Sequence, residues 1–70
     1  MIEGRLYYNA DQGRYGLMSH GKWVVEGFHC GDLLDVLVDG RWIQTRVEMA
    51  EDWYLVDLPG VVMYDLKARI

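Results

Sequence analysis

One cysteine and one proline are all that this 70-residue chain has of either residue. With Cys30 alone no intrachain disulfide can form, and a lone thiol with no evident secretory leader predicts a reducing, cytoplasmic setting. No apolar run approaches the ~20 residues of a membrane-spanning helix, so no membrane partner is expected. Basic residues are also few: seven Lys and Arg stand against eleven Asp and Glu, for a formal net charge of −4. The cations sit at positions 5, 14, 22, 41, 46, 67 and 69 with no two adjacent. Nucleic acid is therefore disfavoured as a partner, because affinity for phosphate backbones rests on Lys and Arg that release counterions. Helical patterning is missing too, with no amphipathic stretch of ~10 residues or more.

Aromatic residues and turn signals are abundant by contrast. Three Trp, five Tyr and one Phe supply dense apolar area, which a short chain needs, since a domain of about this size buries only about 60% of its unfolded surface. The most informative stretch runs from Gly31 to Met49. Two alternating, β-branched runs flank Asp39-Gly40, and a two-residue Asp-Gly loop is the strongest short-range hairpin signal, because both residues of a type I′ turn need positive φ. That loop sets the register. Val38 faces Arg41, Val36 faces Ile43 and Leu34 faces Thr45 on one side, while Leu37 faces Trp42 and Asp35 faces Gln44 on the other. One face is apolar and the other mixed, the pattern of a sheet with one buried side.

Shorter strands are expected elsewhere: residues 5–9, 14–18, 23–26, 53–57 and 66–70, separated by turns at 10–13 and 19–22 and by Leu58-Pro59-Gly60. Gly16, inside the second strand, signals a bulge or a close backbone approach. Residues 27–31 read as an irregular connection, and 61–65 as a strand or one short helical turn. Ile2-Glu3-Gly4-Arg5 matches a protease site used in recombinant fusions, yet Arg5 leads straight into the first strand, so the tetrapeptide is read as native. Five to seven short strands in one 70-residue domain predict an all-β fold, a small SH3-like antiparallel barrel whose closure would remove exposed edges.

Catalytic constellations are thin. His29 and Cys30 are neighbours, but adjacent residues on extended backbone point to opposite faces, which is poor geometry for a base and nucleophile. One Cys and two His fall short of a structural zinc set, and the carboxylates lack calcium-loop spacing. No metal, cofactor or enzymatic activity is expected. Asp32 is expected to bond its own turn, and Asp35 to form a cross-strand ion pair with Arg46. The apolar pair Leu37 and Trp42 is the sharper feature. Burying Val36 and Ile43 leaves that pair on the opposite face, where it is either covered by the aromatic N-terminal strands (Tyr7, Tyr8, Tyr15, Trp23) or free to meet a partner.

Several stretches together resemble a known family: Tyr8-Asn9, Arg14-Tyr15-Gly16, Gly27-Phe28-His29-Cys30-Gly31, Val38-Asp39-Gly40-Arg41-Trp42, Thr45-Arg46-Val47-Glu48-Met49, Trp53-Tyr54-Leu55-Val56 and Ala68-Arg69-Ile70. They are similar to those of a family of short bacterial proteins known as DUF5348, which carries no assigned activity. Ala68 stands where its members tend to carry Val. The resemblance implies a small cytoplasmic protein, often encoded on phage-like or other mobile elements. A non-enzymatic binding module follows as the expectation, acting by protein–protein contact on host machinery such as CRISPR defence, with Leu37, Trp42, Arg46, Glu48 and Trp53 as its contacts. The alternatives are a nucleic-acid-binding small barrel and a self-associating homodimer.

Overall fold

A computed structural model describes residues 1–70 and contains seven strands and no helix. They are β1 (Glu3–Asn9), β2 (Arg14–Ser19), β3 (Lys22–Val25), β4 (Leu33–Val38), β5 (Arg41–Met49), β6 (Trp53–Leu55) and β7 (Lys67–Arg69). All pair antiparallel in one sheet of order β3-β2-β1-β7-β4-β5-β6. The last strand therefore lies in the middle, between the N-terminal hairpins and the β4–β5 hairpin. Glu3, Gly4 and Arg5 pair with Arg69, Ala68 and Lys67, so the tetrapeptide at the start is built into the sheet.

The turns follow their residues. Asp39 and Gly40 have φ of 51° and 77°, and His20 and Gly21 have 52° and 75°, so each forms a two-residue loop of the type I′ kind whose twist suits a hairpin. The β4–β5 register is the expected one, from Leu33 opposite Arg46 to Val38 opposite Arg41. Gly16 is needed for close approach: a Cβ there would lie 2.2 Å from the Val25 carbonyl oxygen. The β2–β3 register shifts between Leu17 and Met18, directly after it.

Alternation sends Leu6, Leu17, Leu34, Val36, Val47, Leu55 and Ala68 inward, and Phe28 and Met63 join them from the connections. The sheet bends around this single core in a barrel-like, SH3-like roll, but its ends do not pair. The sheet's two edges are β3 and β6, strands of four and three residues, and edges this short offer little template for a further strand. Side chains bridge what the ladder leaves open. Trp53 Nε1 donates to the Gly13 carbonyl at 3.2 Å, and the Arg14 guanidinium lies 5.3 Å from the Trp53 ring. Trp53→Phe, which keeps an aromatic ring and removes the donor, is expected to lower stability by about 1 kcal/mol, measured as a reduced midpoint in thermal unfolding.

Residues 61–65 form neither strand nor helical turn. Two successive turns occupy the stretch around them: Val61 N donates to Leu58 O, and Leu66 N donates to Met63 O, both at 3.1 Å. Pro59 sits at the second position of the first turn, where its fixed φ is favourable. The second delivers Asp65, at φ 66°, to β1, where its N–H donates to Leu6 O at 2.7 Å.

Candidate functional site

The strand alternation that builds the core also builds an outer face. Arg5 and Tyr7 of β1, Lys67 and Arg69 of β7, Asp35 and Leu37 of β4, and Trp42, Gln44, Arg46 and Glu48 of β5 share it. Leu37 lies directly opposite Trp42. The N-terminal strands do not fold across this pair, because β7 joins them edge to edge into the same sheet. The partial cover over Trp42 comes from Arg69, whose guanidinium stands 4.0 Å from the ring centroid. Arg69 Nε is in turn 3.2 Å from Asp35 Oδ2. Asp35 thus aims Arg69, and Arg69 stands over the indole ring, an attraction worth about 0.5–1 kcal/mol at an exposed site.

That arrangement accounts for the failure of the expected Asp35–Arg46 pair. Arg69 takes Asp35 from the β7 side, and Arg46 turns along its own strand to Glu48 at 3.2 Å. Leu37, Trp42, Arg46 and Glu48 are accordingly brought onto one face. Trp53 is not with them. It lies at the sheet's edge, half-buried against Gly13 and Arg14, where it fastens β6 to the β1–β2 turn.

Asp32 accepts from the His29 N–H at 2.8 Å, and its own N–H donates to His29 O, closing the loop before β4. Cys30 is exposed beside it, and no group of three or more His, Cys, Asp and Glu is placed to hold a metal ion. No helix is long and apolar enough to cross a membrane.

Sequence alone missed the cluster around Asp65. The Tyr7 phenol donates to Asp65 Oδ1, Arg5 Nη1 donates to the Asp65 carbonyl, and the Tyr64 ring meets Tyr7 edge to face at 5.2 Å. The hydrogen bond to the carboxylate raises the Tyr7 pKa above its ordinary 10.0. Burial, seconded by the charge of Asp52, raises that of Tyr15. Because the folded state holds these protons more tightly, their contribution is complete below the unfolded tyrosine pKa and is lost as pH rises through the folded values. A pH series of denaturation midpoints is expected to fall above about pH 10, and less steeply in Tyr7→Phe. Identical profiles for the two proteins would contradict this.

Charge is distributed unevenly over the surface. On the outer face Glu3 pairs with Lys67, Asp65 with Arg5, Asp35 with Arg69 and Glu48 with Arg46, so the face is close to neutral. Six acids form no ion pair, and four of them, Asp11, Glu26, Glu51 and Asp52, lie in loops near the β1–β2 turn, where Arg14 is the cation at hand. Asn9 ties two of their loops together, accepting from Asp11 N and donating to Glu26 O. Trp53 brings the loop with Glu51 and Asp52 to the same end.

A small, strongly bent, all-β domain with an SH3-like layout and an aromatic–arginine contact on its outer face is thus defined. The chain belongs to the family described as a domain of unknown function (DUF5348), whose model matches residues 4–70. It is similar to a protein from Ruminococcus gnavus whose crystal structure was solved as a structural-genomics target, with 37% sequence identity and a TM-score of 0.86 over 99% of this chain and 100% of that one. No curated protein matches the chain.

Proposed function

We propose that this protein is a non-enzymatic binding module that acts by contact with a protein partner through the outer face of the β4–β5 hairpin. The supporting observation is Trp42, which lies on a sheet face that no strand covers, pre-positioned by Arg69 and paired with Leu37, with Arg46 and Glu48 farther along the same face of β5. Trp and Arg dominate interface hot spots because they combine large apolar area with directional polar groups. A side chain already held in place loses little freedom on binding. On a mobile element in a bacterial cytoplasm, such a module would act on host machinery, CRISPR defence included. The acidic loops with Asp11, Glu26, Glu51 and Asp52, at the far end of β5 from Trp42, support charge mimicry of nucleic acid as a second, separate contact.

One observation favours self-association instead. Met1, Ile2, Leu33 and Ile70 expose apolar side chains, Leu33 to 62%, and Met1, Leu33 and Ile70 line one hollow. Capture from host lysate by the wild-type protein and by Trp42→Ala, with light scattering on each, separates the readings. A partner retained by wild type and lost by a folded, monomeric Trp42→Ala is expected. A dimer that Leu33→Asp dissociates, with no partner captured, would replace the proposal by self-association.

A further inference from the structure

The largest hollow on the molecule, about 530 Å³, is not at the hairpin but on the outer face where the ladder of β1 and β2 ends. Arg5 is opposite Met18, and Glu3 and Gly4 pair with β7, while the β2 backbone at Met18 packs on Gly4, where a Cβ would lie 2.1 Å from the Met18 carbonyl oxygen. Beyond it, Ser19, His20 and Gly21 face Glu3 and Lys67 across an open trough of a volume typical of small-ligand sites. Tyr7 and Met18 give it an apolar side. Arg5, Lys67, His20 and Ser19 give it donors, and the Ser19 hydroxyl shares a 3.1 Å hydrogen bond with His20 Nδ1 that fixes the ring.

The placement of the cations is the telling feature. Arg5 on β1 lies directly opposite Lys67 on β7, and like charges directly opposite across a ladder are destabilising. Each has an acid within reach: Lys67 Nζ is 3.8 Å from Glu3, which also lines the trough, and Arg5 Nη1, which donates to the Asp65 carbonyl at 2.8 Å, is 3.9 Å from the Asp65 carboxylate, with all four side chains about half exposed. The Arg69–Asp35 pair on the same face is tighter, at 3.2 Å, and less exposed. In a chain with a net charge of −4, two cations set side by side, Arg5 with one of its five N–H groups on the Asp65 carbonyl, keep donors that suit an incoming anion. Charge-assisted bonds to a carboxylate or phosphate would satisfy both at once.

We propose that this trough is a binding site for the anionic group, carboxylate or phosphate, of a small organic molecule, with Arg5 and Lys67 as its charged contacts and Tyr7 and Met18 beside its apolar portion. The site is separate from the hairpin contact and does not depend on it. The test is an amide-shift titration with hippurate and with phenyl phosphate, and with hippuramide as the uncharged control. Saturable shifts are expected for at least one anion, confined to residues 3–7, 18–21 and 66–68, and absent with hippuramide. Saturation by hippurate alone identifies a carboxylate site, and by phenyl phosphate alone a phosphate site. In Lys67→Gln and in Arg5→Gln, each with an otherwise unchanged spectrum, affinity should drop by about tenfold, the equivalent of one charge-assisted bond. Trp42→Ala should leave it unchanged. Non-saturating shifts, equal shifts with hippuramide, or an affinity unaltered in both charge variants would overturn the proposal.

Discussion

Gly16→Ala is expected to remove about 3 kcal/mol of folding stability, the upper part of the range for forcing extra atoms into a packed site. The new Cβ would stand 2.2 Å from the Val25 carbonyl oxygen and 3.0 Å from both the Glu26 carbonyl oxygen and the Trp23 ring. Two of those three neighbours are backbone, so no change of rotamer relieves the clash. Relief requires β3 to separate from β2, which disturbs the Phe28 N–H bond to Tyr15 O and with it the delivery of Phe28 to the core. A domain this small has only several kcal/mol in total, so the loss is a large share. Gly60→Ala is the matched control, because a Cβ there meets nothing within 4 Å and the smaller unfolded-state entropy favours it slightly. Denaturant midpoints that are equal for the two variants would contradict the packing described for β2 and β3.

Trp42→Ala is expected to weaken partner binding by at least about thirtyfold, the equivalent of the ~2 kcal/mol that defines a hot spot. Its effect on the fold should be smaller. Trp42 is half-buried and outside the core cluster, and within the protein the substitution chiefly removes the stacking of the indole on the Arg69 guanidinium, worth about 0.5–1 kcal/mol. The ratio of these effects distinguishes a binding residue from a structural one. Binding calorimetry with the captured partner reads the first effect, and thermal unfolding of the free protein reads the second. A stability loss comparable with that of Gly16→Ala, with affinity intact, would make Trp42 a structural residue.

Much of the fold was legible in the sequence because its information is local. Asp39-Gly40 specified a turn type, the turn specified a register, and the register assigned every side chain of β4 and β5 to a face. The aromatic N-terminal strands and Gly16 were similarly readable from alternation and from one missing Cβ. The order of strands was not. β7 enters between β1 and β4 through pairings that span more than thirty residues on one side and more than sixty on the other, and no local pattern encodes them. The departures on the outer face follow from that insertion. It moves Arg69 next to Asp35 and Trp42, sends Arg46 to Glu48, keeps the N-terminal strands from covering Leu37 and places Lys67 opposite Arg5. Residues 61–65 were ambiguous for another reason: the apolar Val61, Val62 and Met63 fit either periodicity, and a burial requirement met by Met63 alone leaves only turns.

Side-chain footprinting of the protein free and bound to its captured partner tests the central claim most directly. Trp42 and Leu37 should lose reactivity on binding, while Trp53, already held against Gly13 and Arg14, and Tyr8 and Met49, away from the outer face, should keep theirs. Protection confined to Tyr8 and Met49, with Trp42 labelled as fully as in the free protein, would contradict the assignment of the β4–β5 outer face as the contact surface.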